Sequence, residues 1–371
     1  MPPSQPVIER IATSAFSIPT DAPEADGTLT WDHTTLVLVE ASSAGVTSLG
    51  YTYADQATAT LVDTLLCATV LGMSASAPAA CYEAMQRAVR NLGRDGIAAM
   101  AISAVDIALW DLKARLLATS VADLLGRARG RVPVYGSGGF TSYDSERLQR
   151  QLAGWVEQGI PRVKMKVGAE PALDRARVQR AREAVGKSEL FVDANGAYTR
   201  KQALGFAEEF AQLGVSWFEE PVSSDDLGGL ALLVERAPAG LDIAAGEYGY
   251  QAPYFERMLA ARAVDVLQAD ATRCGGVSGF MRAAAVCDAH GLPLSCHCAP
   301  ALHAHLGCAA ARVRHVEYFH DHVRIENLLF DGVLQPQGGA LSPDAARPGF
   351  GLGLRRAEAQ RHLVSTATRK A

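Results

Sequence analysis

Apolar and polar positions change their period along the chain. Over Val7 to Ile18 and Thr34 to Glu40 (TTLVLVE), β-branched and apolar residues alternate with polar ones, and the glycine-containing segment Ala44 to Tyr51 repeats the pattern. A period of two predicts three strands. From about Gln56 to Leu124 the spacing lengthens: in AISAVDIALWDLKARLL apolar residues recur every three or four positions, which predicts helices. An α+β unit is therefore expected over residues 1–130.

Short apolar runs then alternate with amphipathic stretches of helical length. The runs are VPVYGS, PRVKMKVG, ELFVDAN, VSWFEEP, LDIAAGE, VDVLQAD, GLPLSCH and RHVEYF. Strands separated by helices pair in parallel through crossovers, and eight such units predict an α/β fold of the (β/α)8 barrel type over residues 131–333. An open doubly wound sheet is the alternative, but no strand is followed by its usual G-x-G-x-x-G turn. Residues 334–371 are rich in turn formers (QPQGGALSPDAARPGFGLGL) and are expected to run back onto the N-terminal unit. That unit then caps the barrel.

Seven of the eight runs carry a charged or imidazole side chain near the C-terminal end: Lys164 and Lys166, Asp193, Glu219 and Glu220, Glu247, Asp270, His297, and Glu317. In a (β/α)8 barrel those ends meet at one mouth. Asp193, Glu219 and Glu247 would then crowd together, repelling one another unless a cation intervenes; an all-oxygen set favours a hard ion such as Mg²⁺. The competing reading is three unrelated acids. Lys164 and Lys166 lie two apart on a strand and share a face, so close to one another and to a metal at least one is expected to have a lowered pKa and to serve as a base. Asp270 and His297 sit at successive strand ends, where a carboxylate can orient an imidazole and support its protonated form.

The ordered set VKMKVG, VDANG, WFEEPV, AAGE, LQADATRCGG, SCHCAP and HVEYF resembles the signature strands of the enolase superfamily, in its mandelate racemase subgroup. The resemblance covers most of the chain, including the N-terminal unit, which is similar to that family's capping domain. It implies that Asp193, Glu219 and Glu247 bind Mg²⁺ and that Lys166 is a base on one face of the substrate. Lys164 becomes its electrostatic partner near the substrate carboxylate, the Asp270–His297 dyad the acid/base on the opposite face, and Glu317 a hydrogen-bonding partner of that carboxylate. Asn195 matches a second polar residue after the third-strand aspartate; Glu220 is not carried over as a ligand. Loops of the cap, here Asp21 to Leu29 and SLGYTYAD with Tyr51 and Tyr53, are expected to close over the substrate.

The implied chemistry begins with removal of a proton α to a carboxylate, giving an enediolate. With a β-hydroxyl present, protonated His297 can expel it as water, as in an acid-sugar dehydratase yielding a 2-keto-3-deoxy acid; without one, reprotonation from the other face makes a racemase or epimerase of a 2-hydroxy acid. A zinc hydrolase is a remote alternative, because CHCAPALHAHLGC packs Cys296, His297, Cys298, His303, His305 and Cys308 together, although C-x-C and H-x-H depart from the usual zinc spacings. A silent barrel that merely binds ligand has no support, since no acid/base or metal position is lost. Among His315, His320 and His322, which flank Glu317, one is a candidate for substrate contact.

Composition narrows the partners. Of 371 residues, 49% are hydrophobic and 20% charged, values of an ordinary globular chain, and the net charge of −5 argues against nucleic acid or an anionic membrane. A small-molecule carboxylate is the expected partner, in a cytoplasmic homo-oligomer, since the start MPPSQPVIER has no export pattern and no long apolar span follows. Seven cysteines in such a chain are expected to be reduced thiols.

Overall fold

The computed structural model describes residues 6–371. The first three strands, β1 (Arg10–Ala25), β2 (Thr30–Ser43) and β3 (Val46–Tyr53), form an antiparallel sheet. Ala44 and Gly45 both adopt positive φ (48° and 76°), and Ser43 faces Val46, so the two residues make a two-residue hairpin of the primed type that suits strand twist. The third strand accordingly starts two residues later than its apolar pattern suggests. The helix Ile97–Leu116 packs on this sheet with one face and on the barrel helix Gly276–Ala289 with another, which explains why it is apolar almost all round. Polar ties fix that second contact. Asp106 accepts hydrogen bonds from the Ser278 N–H (2.9 Å) and hydroxyl (2.7 Å), while Trp110 Nε1 donates to Ser278 Oγ.

All eight runs become strands: β4 (Val132–Gly138), β5 (Arg162–Lys166), β6 (Glu189–Asp193), β7 (Val215–Glu219), β8 (Asp242–Ala245), β9 (Val266–Ala269), β10 (Leu294–Cys296) and β11 (Val313–Phe319). They pair in parallel in sequence order, and β11 closes the ring on β4 through Val316↔Val134 and Glu317↔Tyr135. A closed eight-stranded barrel results. Alternation sorts its interior into layers. Tyr135, Phe191, Trp217 and His315 pack ring against ring within the barrel. Two residues further along the same strands stand Ser137, Asp193, Glu219 and Glu317, so an aromatic floor lies under a charged mouth. Lys164 Nζ is 5.3 Å from the Tyr135 ring centre.

After the barrel, Ala340–Leu341 pairs antiparallel with the start of β4 and the strand Leu363–Lys370 pairs antiparallel with β1. The chain's end thus returns to the capping sheet. All seven cysteines are buried and unpaired. Among the described residues, no helix is long and apolar enough to cross a membrane.

Candidate active site

The C-terminal strand ends enclose a cavity of about 460 Å³ roofed by the cap. Lys166, Asn195, Glu247, Arg273, His297 and Glu317 reach it from the barrel; Asp26, Leu29, Trp31, Thr34 and Tyr53 reach it from the cap. Carboxylate oxygens of Asp193, Glu219 and Glu247, from three neighbouring strand ends, lie within 4.8 Å of one another. None of the three residues is more than 3% exposed. Their remaining valences are held in place: Asn195 N–H donates to Asp193 Oδ1 (2.9 Å) and Trp217 Nε1 to Glu219 Oε2 (2.9 Å).

Both lysines point inward, as their spacing requires. Lys164 Nζ meets Glu219 Oε1 at 2.5 Å, Glu317 Oε1 at 2.8 Å and Asp193 Oδ2 at 3.4 Å; Lys166 Nζ meets Asp193 Oδ2 at 2.5 Å. Without a metal ion beside them, neither lysine has a lowered pKa. Burial pushes both ammonium groups down, but the facing carboxylates, Glu219 for Lys164 and Asp193 for Lys166, more than reverse it and raise both. Each lysine is therefore protonated while these carboxylates are its partners.

His297 Nδ1 donates to Asp270 Oδ2 at 2.8 Å, and Thr272 donates twice, from N–H and hydroxyl, to Asp270 Oδ1 at 2.7 Å. Burial opposes ionisation of Asp270, yet the bond and charge of His297 hold it below the ordinary carboxylate range. The imidazole moves the other way: burial lowers it, but Glu247 and the Asp270 bond raise it overall. The ring is thus fixed with Nε2 turned to the cavity. Glu317 accepts from Ser137 Oγ (2.6 Å) and the Cys298 N–H (3.0 Å), and Lys164 keeps it ionised against the cost of burial. Around the closed barrel, His297 beyond β10 and Lys166 on β5 are three strands apart, with Glu317 on β11 between them.

Two expected substrate contacts separate here. Tyr53 lines the cavity and stacks on His322, with ring centres 3.4 Å apart. Tyr51 does not: it is fully buried behind the mouth, donating to Glu326 Oε1 at 2.6 Å. Of the trailing histidines, only His322 lines the cavity; His315 belongs to the aromatic floor and His320 meets Asp21. The six cysteine and histidine side chains of CHCAPALHAHLGC, the basis of the remote zinc alternative, do not gather into one cluster. His303 Nδ1 bonds the Cys298 carbonyl and its Nε2 accepts from Ala271 N–H, His305 packs on Phe350, and Cys296 and Cys308 are core residues. Only His297 and Cys298 of that segment face the mouth. Cavity residues that sequence reasoning missed include Trp31, Thr34 and Arg273; Arg273 carries a signal in retrospect, standing one helical turn after Asp270.

Comparison with known proteins matches residues 11–126 to the family described as mandelate racemase / muconate lactonizing enzyme, N-terminal domain, and residues 147–359 to the enolase C-terminal domain-like family. The chain belongs to the mandelate racemase/muconate lactonizing branch of the enolase superfamily. A 3,6-anhydro-alpha-L-galactonate cycloisomerase of Streptomyces coelicolor is 34% identical over 93% of this chain and 96% of its own length. An L-talarate/galactarate dehydratase of Salmonella typhimurium is 35% identical over 70% of this chain and 65% of its own. Among solved structures, a mandelate racemase/muconate lactonizing enzyme-like protein from Rubrobacter xylanophilus superposes with a TM-score of 0.95 at 56% identity, covering 97% of this chain and all of that one. Family members have been crystallised with bound magnesium, which is the superfamily's cofactor.

The residues present fit that ion. Three buried carboxylates offer only hard oxygen donors, and Glu247 Oε2 is buried with no hydrogen-bond partner in the structure. An ion held there would engage Asp193, the carboxylate that contributes most to keeping Lys166 charged.

Proposed function

We propose that this protein is an acid-sugar dehydratase, converting an aldonate or aldarate into a 2-keto-3-deoxy acid. The observation that carries this reading is that Lys166 and the Asp270–His297 dyad, a base and an acid, enter one cavity from well-separated strands. Lys166 takes the α-proton. Lys164 and Glu317, linked at 2.8 Å, set the charge and hydrogen bonding met by the substrate carboxylate. His297, protonated and oriented by Asp270, gives its Nε2 proton to the departing β-hydroxyl, which leaves as water; the resulting enol tautomerises to the 2-keto acid. Magnesium, held by Asp193, Glu219 and Glu247, would supply positive charge beside the carboxylate and so make the α C–H more acidic. The cap excludes water and fits the far end of the substrate through Trp31, Thr34 and Tyr53.

Dehydratases among the relatives support this assignment. Cycloisomerisation is the second reading, favoured by the relative that matches over nearly its full length. It shares the α-proton step, as racemisation does, but conserves mass. Incubation with a library of acid sugars and their anhydro and lactone forms separates them: product lighter by one water supports dehydration, whereas product of unchanged mass refutes it. Lys166→Ala and His297→Asn are each expected to abolish turnover, with His297→Asn still exchanging the substrate α-proton for solvent deuterium. Full activity in both variants overturns the assignment of roles.

A further inference from the structure

The side chains that the proposed reaction leaves unexplained converge beside His297. Cys298 has its thiol 3.3 Å from His297 Nε2 and 3.4 Å from Glu317 Oε2, and those two atoms are 3.7 Å apart. One nitrogen, one sulfur and one oxygen therefore form a small triangle at the rim of the cavity. At ordinary zinc bond lengths and tetrahedral angles, such donors stand about 3.3 to 3.6 Å from one another. The two edges to sulfur fall within that range, and the nitrogen–oxygen edge exceeds it by 0.1 Å.

We propose that His297, Cys298 and Glu317 form a second metal site, distinct from the three-carboxylate cluster, that takes a soft or borderline divalent cation such as Zn²⁺ or Cd²⁺. Donor chemistry separates the two sites: thiolate and imidazole select soft ions, whereas the carboxylates select hard ones. Each ligand already has the outer support that metal-binding side chains need. Asp270 holds His297 through Nδ1 and leaves Nε2 as the ligand atom. Ser137 and Lys164 hold the other oxygen of Glu317. The cavity beside the three ligands leaves room for water or another small donor as a fourth ligand.

The backbone is built to present this thiol. Cys298 and Ala299 take successive positive φ values of 53° and 39°, a left-handed conformation that strains residues other than glycine. Two histidines brace the turn: His303 Nδ1 donates to the Cys298 carbonyl at 2.7 Å, and His322 Nδ1 accepts from the Ala299 N–H at 3.3 Å. The same turn delivers the Cys298 N–H to Glu317, so thiol and carboxylate are fixed relative to one another. On binding, the cation takes a sulfur lone pair and the Nε2 lone pair, and the thiol proton, together with the Nε2 proton where His297 is charged, passes to solvent, so binding weakens as pH falls. If His297 acts as the acid of the proposed reaction, a step this consequence rests on, zinc blocks turnover while Mg²⁺ stays bound.

The test reads metal binding directly. Cd²⁺ titrated into the Mg²⁺-saturated protein is expected to give a thiolate-to-cadmium charge-transfer band that saturates at one equivalent and resists excess Mg²⁺. Cys298→Ser should remove the band, and Asp270→Asn should weaken binding about 10- to 100-fold through the freed imidazole. A band that persists in Cys298→Ser, or that excess Mg²⁺ abolishes, overturns the site. Should Cys298→Ser fold poorly, X-ray absorption of the zinc-loaded wild type decides: one sulfur at about 2.3 Å supports the site, and a shell of nitrogen and oxygen alone overturns it. Zinc that binds with the sulfur signature but leaves turnover intact upholds the site and refutes the role given to His297.

Discussion

Gly27 offers a test of whether the cap shapes the mouth by direct contact. A Cβ on Gly27 would lie 2.4 Å from the Ala194 carbonyl oxygen and 2.7 Å from that of Val167, both backbone atoms of strand ends at the mouth. Its φ is not in the left-handed region, so alanine is conformationally acceptable and the effect is steric alone. Ordinary contact begins at 3.4 Å, so the cap segment must retreat by about 1 Å. It retreats as a unit, because Asp26 Oδ1 accepts from the N–H groups of Thr28 and Leu29, and Thr141 ties both Ala25 and Asp26 to the barrel. Misplacement of this size around a reacting centre can cost about 100-fold in rate, while the packing penalty is about 1–3 kcal/mol. Gly27→Ala should therefore lose about two orders of magnitude in kcat/KM for the substrate found by library screening, with only a modest fall in Tm. Gly130→Ala is the control, since its Cβ meets nothing within 4 Å and its φ is also ordinary. Equal kcat/KM for the two variants would refute the claim that the cap packs onto the strand ends in the working enzyme.

Other expectations follow from buried polar groups. Asp106 at the joint between cap and barrel has its pKa pushed up to about 7, chiefly by burial, so its neutral form is favoured in the fold: its contribution to stability is complete below the unfolded pKa near 3.8 and is lost as pH rises to 7. Relative to Asp106→Asn, the wild type should lose up to about 4 kcal/mol between pH 4 and pH 8, measurable as a pH-dependent gap between the two denaturant midpoints; a constant gap would contradict this. Chelation should abolish turnover and lower Tm, because the carboxylates outnumber the cations that face them, and added Mg²⁺ should restore both. Lys164→Ala strips three buried carboxylates of a shared partner and should cost about 3–5 kcal/mol in the chelated protein, as read by thermal melts. Tyr51→Phe leaves a Glu326 oxygen without its donor and should cost about 1–3 kcal/mol of stability with turnover unchanged, whereas a kinetic defect would return Tyr51 to the substrate site.

The phase of each strand was legible in the sequence, and depth along it was not. Period-two alternation places Lys164 and Lys166 on one face, and it does the same for Tyr51 and Tyr53. For the lysines parity sufficed, since both lie on a strand whose end forms the mouth. For the tyrosines it did not. Two residues span about 6.6 Å of strand, enough to put Tyr53 in the cavity and Tyr51 in the core. The turn at Cys298 and Ala299 was illegible for another reason, because neither residue advertises a positive φ as glycine would. Spacing likewise showed which charges share a mouth but not which pair across it, as Lys164 does with Glu219 and Lys166 with Asp193.

Those pairings lead to a constraint on what the mouth can hold. Asp193, Glu219, Glu220, Glu247, Asp270 and Glu317 are all buried there, and the cations among them are Lys164, Lys166, Arg273 and, when protonated, His297. Even with every cation charged, two carboxylates are left over. The excess is visible in its effect: burial and then neighbouring carboxylates hold both Glu219 and Glu220 above the ordinary range, so part of the cluster resists ionising. A monovalent ion leaves that deficit half filled, and an anionic ligand alone deepens it. A single divalent cation removes it, so that an anionic ligand would then meet a neutral mouth rather than a negative one.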